Sequence, residues 1–388
     1  AARRRGRRRP VRPLGGRAHH VSGVHHVVPV LHRGDAVGRH TLRLRDATRR
    51  RGIESNIFVD VVQDETADET LPAIAYAEQA QRGDVVVYQF ATASLMAPWL
   101  AGRSETLVVN YHNITPPDLI APWDHHLALG QERAREDLAV LAPRTTLAIA
   151  DSAYNEAHLA ESGFAATAVV PPSAALDDDD TRVTTPTTEP PHAGPSAERS
   201  GAAWLAVGRV APNKSLEHTI AALAVARGHA DPGATLRVVG KPATDTYERA
   251  LRHYVADLGL GDAVTFTGYA TDAAVAAAYA TSDVLVVTSE HEGFCVPVVE
   301  AMAAGLPVVA FDQGAVPEVL GGAGVLVTSR DPFALAGAIA AVLGDPARRT
   351  AMAEAGRRRL DELDLPHAAD RFVDLLCRVR DQHTARRR

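Results

Sequence analysis

Short apolar runs alternate with helix-length spacers in each half of the chain. This pattern predicts an α/β protein of two doubly wound parallel-sheet domains facing each other across a cleft. Two further observations support it. A chain of 388 residues is long enough for two ordinary domains, each with its own core. Between the halves lies "PPSAALDDDDTRVTTPTTEPPHAGPSAERSG", residues 171–201, rich in Pro, Thr, Ser and Asp and nearly free of large apolar side chains, which reads as a linker.

In chain order, "HHVVPVLH" (25–32) is the first expected strand, "GDAVG" (34–38) a turn, and Arg39–Arg51 a helix. Further strands are expected at "ESNIFV", "DVVVYQF", "TLVVNYH", "TLAIAD" and "ATAVV", with Trp123–Leu141 long enough for a crossover helix. After the linker, strands fit "AAWLAVG" (202–208), "TLRVVG", "AVTFTG", "DVLVVTS", "LPVVAF" and "AGVLVT". Helices fit Ser215–Arg227, Asp245–Leu258, Thr271–Ala280, Pro297–Ala304 and Pro332–Leu343. A last segment, Pro366–Arg380, carries Ala369, Phe372, Val373, Leu376 and Val379 on one helical stripe. No strand follows it, so it is expected to pack back on the first domain. The organisation expected is therefore a basic, disordered tail (1–24), a first domain (25–170), a linker (171–201), a second domain (202–365) and a returning helix (366–388).

Composition bounds the function. An apolar share of 46% and a charged share of 23% are those of a soluble globular protein. No apolar run approaches a membrane span, and the opening residues lack the apolar stretch of a signal peptide. Cys295 and Cys377 make neither a disulfide framework nor a metal-ligand spacing, so a reducing cytoplasm is the expected compartment. The net charge of −6 hides eight arginines and no acid in residues 1–20, which leaves the rest of the chain more acidic than the total. That arginine-rich opening could bind nucleic acid or anionic lipid, but nothing apolar accompanies it, and a disordered tail is the plainer reading. The acidic body argues against nucleic acid as a partner. Asp177–Asp180 satisfies an Asp-x-Asp metal pattern, but in this tract it reads as a solvated charge run, and no metal site is expected.

The stretch "SEHEGFCVPVVEAMAAGLPVVA" (289–310) concentrates the chemistry. It follows an apolar strand and enters a helix at Pro297, where the missing N–H would be unpaired anyway. Backbone N–H groups from Gly293 through Val298, including Phe294, Cys295 and Val296, are expected to face the cleft with the positive helix end, which favours an anion. Glu300, expected in the first helical turn, can accept hydrogen bonds from a ribose-like diol, and Glu292 can do so for hydroxyls on the other side. Two such acids around an anion site describe a nucleotide-sugar; the alternative is a helix-start acid beside a solvated one. "VGRVAPNKSLEHTI" (207–220) supplies Gly208, Arg209 and Lys214 at another strand end, with Ser215 as an expected N-cap. Arg can grip two phosphate oxygens and Lys acts as a mobile point charge, so the pair could neutralise a diphosphate. From the first domain, Gly34, Asp35, Ala36, Val37 and Gly38 could bring amides against the same phosphates. His112 in "NYHNITPP" stands just past a strand end, where a structural and a catalytic role are both open.

With these residues, the chain resembles the retaining glycosyltransferases of family 4, which have the GT-B fold of two Rossmann-like domains. The resemblance runs from "GDAVG" to the last helix. It rests most on Glu292 and Glu300 as a Glu-x7-Glu signature in "HEGFCVPVVEAMAAGLPVV", and on "GRVAPNK", "YHNITPP" and "AVPE" (315–318). It departs at Gln89 in "VVYQFAT", where many relatives have His. The resemblance implies transfer of a hexose from a nucleotide diphosphate sugar to an acceptor hydroxyl, with retained anomeric configuration and without a bound metal or other cofactor. Arg209 and Lys214 would hold the diphosphate, Glu300 the ribose, and Glu292 with neighbouring His291 the donor sugar. Gly293–Cys295 would meet the sugar or phosphate through their backbone, His112 would lie near the reacting carbon, and residues 34–38 would close over the phosphates. The acceptor would be a glycan, a small molecule or a lipid-linked hydroxyl compound. Arg43, Arg45, Arg49, Arg50 and Arg51 could then set the protein on the inner face of a membrane, the alternative being a solvated helix face.

Competing readings differ by recognisable features. A nicotinamide dehydrogenase would need Gly-x-Gly-x-x-Gly after a strand, and no such run stands in a suitable place. A sugar-nucleotide epimerase of the same fold would act without an acceptor, and a non-catalytic binding scaffold would not need the Arg209, Lys214, Glu292 and Glu300 set.

Overall fold

The computed structural model describes residues 23–81, 83–173 and 200–385. The basic tail expected over 1–24, apart from its last two residues, and most of the 171–201 tract with Asp177–Asp180 lie outside them. Among the described residues the strands form two wholly parallel sheets. The first contains β1 (Val24–Val30), β2 (Ile57–Val61), β3 (Thr70–Pro72), β4 (Val85–Phe90), β5 (Thr106–Tyr111), β6 (Thr145–Ala150) and β7 (Thr167–Val169), in the order β3-β2-β1-β4-β5-β6-β7. Its helices are α1 (Ala36–Arg50), α2 (Ala73–Gln79), α3 (Met96–Ala101), α4 (Pro117–Ile120), α5 (His125–Leu141) and α6 (Ala153–Glu161). The second contains β8 (Ala203–Val207), β9 (Thr235–Val239), β10 (Val264–Phe266), β11 (Val284–Val287), β12 (Val308–Phe311) and β13 (Val325–Val327), in the order β10-β9-β8-β11-β12-β13. Between and after these strands run α7 (Leu216–His229), α8 (Asp245–Asp257), α9 (Asp272–Thr281), α10 (Val296–Ala303), α11 (Val316–Leu320), α12 (Pro332–Leu343), α13 (Pro346–Leu363) and α14 (Ala368–Ala385).

Helices cover both faces of each sheet because the central strands are apolar on both sides. Along β8 and β11, Trp204, Val284 and Val286 join the core on one face, while Leu205, Leu285 and Val287 join the core on the other, as the two-residue period of a strand requires. The strand order reverses between β1 and β4 in the first sheet and between β8 and β11 in the second. At each reversal the loops leave toward opposite faces, and a crevice opens at the carboxyl ends of the strands.

α14 lies on the first sheet. Its Phe372 and Leu376 are fully buried among Val24, Val85, Val87, Val108 and Ile149. Arg51 in the turn after α1 reaches Asp374 of α14 at 2.9 Å. The other arginines around α1 are also largely tied into the fold: Arg45 pairs with Glu69 and with Asp46 at 2.8 Å, Arg49 donates to the Ser55 carbonyl at 2.7 Å, and Arg43 donates to that of Ser173. Arg50 is exposed.

Three local expectations are corrected. α1 begins at Ala36, before Arg39, because Asp35 is its N-cap, with Oδ1 accepting from the Gly38 amide at 2.6 Å. α10 begins at Val296, since Cys295 takes a left-handed conformation (φ 75°) that starts the helix one residue before Pro297. Ser215 does not cap α7 through its side chain: it is left-handed, and its hydroxyl donates back to the Pro212 carbonyl at 3.2 Å.

Replacing Phe372 with Ala leaves a cavity in the first core and should cost about 3–5 kcal/mol in denaturant unfolding. Phe333→Ala, at a side chain 59% exposed, should cost far less.

Candidate functional site

At the second reversal an open pocket of about 330 Å³ is lined by the ends of β8 and β11 and by the loops that follow them. Ala206, Val207, Val286 and Val287 form its apolar floor, and Gly208, Arg209, Lys214, Ser289, Glu292 and Cys295 bring the polar groups. Arg209 is exposed at its rim, whereas Glu292 is buried. Lys214 and Glu292 form an ion pair, and the Ser289 hydroxyl donates to the same Glu292 oxygen at 2.6 Å. Burial alone would push the Lys214 pKa down, but the adjacent carboxylate more than reverses that and holds it above the ordinary lysine value. The cation is therefore kept charged at the floor of a partly dry site.

The two loops are stapled to one another. The Asn213 side chain donates to the His291 carbonyl at 3.0 Å, and the Glu290 amide donates to the Asn213 carbonyl at 2.8 Å. The Thr288 hydroxyl lies 3.0 Å from the Ser215 carbonyl. Lys214 and Glu292 are thus fixed relative to each other by backbone as well as by charge.

Glu300 is not in the first turn of α10. The earlier helix start puts it in the second turn, outside the pocket lining, where the Tyr279 hydroxyl donates to it at 2.7 Å. Burial and this carboxylate push the Tyr279 pKa well up, so the phenol stays a donor. Phe294 is buried in the core with Leu285 and Val287. Among Gly34–Gly38, none lines the pocket, and the Gly38 amide is taken by Asp35. Gly38 has its own packing reason: a Cβ there would stand 1.8 Å from the His32 carbonyl oxygen.

Across the cleft the first lobe touches the loop after β11 directly. His291 Nε2 lies 2.9 Å from Asn113 Oδ1, which makes this nitrogen the donor and leaves Nδ1 to accept from the Tyr154 hydroxyl at 3.3 Å. The Ser152 hydroxyl donates to the Gly293 carbonyl at 2.7 Å. A Cβ on Gly293 would meet Asn113 Cβ at 2.5 Å, so only glycine allows this approach. Glu318 accepts from the first amides of α6, Ala153 at 2.8 Å and Tyr154 at 3.1 Å, a favourable place for a carboxylate. Trp123 packs edge-on against Tyr247, with ring centroids 4.9 Å apart.

His112 sits at the end of β5 with its side chain almost wholly buried, outside the lining of that pocket. Its Nδ1 is 3.0 Å from Asp151 and its Nε2 is 2.8 Å from Gln89. Sequence reasoning missed Asp151, Asn113, Tyr154 and Ser289. Asp151 alone left a signal, as an acid immediately after a strand. Among the described residues, no group of three or more His, Cys, Asp or Glu side chains is arranged to hold a metal ion, and no helix is long and apolar enough to cross a membrane.

Residues 198–359 match the family described as glycosyl transferases, group 1. The chain is 35% identical over 155 residues to the MMP alpha-(1->4)-mannosyltransferase of Mycolicibacterium hassiacum, covering 39% of this chain and 36% of that protein. It spans less than half the length of the curated relatives it matches. Among solved structures, sucrose-phosphate synthase from Thermosynechococcus elongatus superposes with a TM-score of 0.69 at 21% identity, over 92% of this chain and 99% of that one. HepE of Anabaena in complex with UDP-glucose superposes with a TM-score of 0.68 at 20% identity, over 91% and 99%. The fold is GT-B.

The lobe contact predicts a pH dependence. Burial, and next the neighbouring His158 ring, lower the His291 pKa from its ordinary 6.5 to about 4. Between those values the unfolded chain binds more protons than the folded one. The stability owed to the neutral ring is therefore complete above about pH 6.5 and lost as pH falls toward 4. It amounts to roughly 3 kcal/mol. Melting temperature should drop across that window, and less steeply in His291→Gln.

Proposed function

We propose that the protein is a retaining hexosyltransferase that moves a hexose from a nucleotide diphosphate sugar to an acceptor hydroxyl without a bound metal. The observation that carries this reading is the convergence of Arg209, Lys214 and Glu292 on one pocket at the strand-order reversal of the second sheet. The family match over 198–359 and the mannosyltransferase relative support the same reading.

Breaking the bond between sugar and phosphate builds negative charge on the departing diphosphate and positive charge on the anomeric carbon. Arg209 at the rim and Lys214 at the floor meet the first, as preorganised cations whose field is strongest where water is excluded. Glu292, already oriented by Lys214 and Ser289, accepts hydrogen bonds from the donor sugar hydroxyls. Glu300, in the second turn of α10, takes the ribose. Residues 34–38 cover the phosphates as the lobes close, and His112 stands beside the reacting carbon from the first lobe. In this scheme the leaving phosphate itself takes the acceptor proton on the face from which the acceptor attacks, which retains the configuration. The acceptor binds on the first lobe, and lipid-linked hydroxyl compounds belong to the classes it would take.

Arg209→Ala and Lys214→Ala should each lower turnover by on the order of a hundredfold. Arg209 is exposed, so its variant should melt normally, whereas Lys214→Ala also strands a buried carboxylate and should melt earlier. Near-normal kinetics in both would overturn the leaving-group assignment. The donor is found by a thermal-shift panel of GDP-, UDP- and ADP-sugars, since a bound donor raises the melting temperature by mass action. With that donor, turnover should survive a chelator, and proton NMR should find the product anomer matching the donor; inversion would refute the mechanism.

A further inference from the structure

Behind His112 lies a polar cluster that the pocket chemistry does not use. Gln89 on β4 and Asn110 on β5 are register partners in the middle of the first sheet, and both are fully buried. An apolar pair would fill this place without needing partners. Instead the two amides are spent on one another and on imidazoles: Gln89 Oε1 accepts from Asn110 Nδ2 at 2.9 Å and stands 2.8 Å from His112 Nε2, while Gln89 Nε2 stands 3.1 Å from His26 Nδ1. On the opposite side of the ring, Asp151 Oδ2 is 3.0 Å from His112 Nδ1. Asn110 Nδ2 further reaches His40 Nε2 at 3.0 Å.

We infer that Gln89 is a positioning residue for the transfer reaction: its amide and Asp151 flank the two ring nitrogens of His112, with Asn110 Nδ2 3.3 Å from the same Nε2, and together they fix the imidazole plane at the end of β5. This rests on the reading above that His112 stands beside the reacting carbon. It follows that His112 has no nitrogen left for the substrate in this arrangement. It acts by where its ring and main chain sit, not by carrying a proton to or from the sugar. The two grips come from different elements, β4 and the residue after β6, so the ring cannot turn without breaking one of them. A buried side chain held at both ends in this way keeps a reacting group within the small tolerance that catalysis needs.

The test is a double-mutant cycle on the full chain, using whichever of UDP-glucose, GDP-mannose and ADP-glucose raises its melting temperature most. Gln89→Met keeps the length of the side chain and removes the grip. It should lower kcat at least tenfold while the dissociation constant of that sugar nucleotide stays within about twofold, a split that general loosening of the fold would not give. In a His112→Ala background the same substitution should change kcat by less than about twofold, because its effect passes through the ring. Should Gln89→Met fail to fold, Asp151→Asn, which keeps shape and removes the charge on the other nitrogen, is expected to give the same split and the same masking. Unchanged kcat in the variant that folds, or a tenfold loss that persists in the His112→Ala background, overturns the inference. Full turnover by His112→Ala alone would instead overturn the reading of His112 on which it rests.

Discussion

The site depends on keeping a cation and an anion together in a place that is only partly wet. Where a doubly wound sheet reverses its strand order, two neighbouring loops part and leave a crevice that no side chain of the sheet fills. Charges brought there lose hydration, and an unpaired one would cost several kcal/mol. Lys214 and Glu292 meet that condition by pairing with each other. The Asn213 and Thr288 hydrogen bonds then hold the two loops in the register the pair requires. In the proposed reaction an incoming diphosphate does not have to recruit its cation from solution; it meets one already charged and held in place.

The second constraint is that the loop after β11 is not the property of the second lobe alone. Asn113, Ser152 and the first turn of α6 hold His291, Gly293 and Glu318, the first two being the sequence neighbours of Glu292. Trp123 makes the matching contact on the side of Lys214, through Tyr247. Separation of the lobes would free both loops, so the geometry of the pocket and the apposition of the lobes are one equilibrium. The amide network around Gln89 extends the same logic inward, since it connects the middle of the first sheet to His112 at the end of β5.

Much of the fold was legible because strands such as β11 and β12 are buried on both faces and read as unbroken apolar runs flanked by turn residues. β3 was not, because three residues ending in Pro72 carry no period. α13 was passed over because its sequence, rich in Arg, exposes much of its surface and fully buries only Met352, Ala353 and Gly356. At the site, Arg209, Lys214 and Glu292 could be found from their places after strands. Glu300 was assigned to the wrong turn because the left-handed Cys295 cannot be read from sequence. The contacts of His112 with Gln89 and Asp151 were hidden for a different reason. They join three separate strands, and only the register of the finished sheet brings them side by side.

The return of α14 to the first sheet has a consequence for biosynthesis. Phe372 and Leu376 close a core whose strands emerge from the ribosome long before them, with the entire second lobe translated in between. The lobe made first is therefore the one completed last. Until α14 arrives, part of one face of the nascent sheet stays uncovered, a period in which a chaperone would have something to hold.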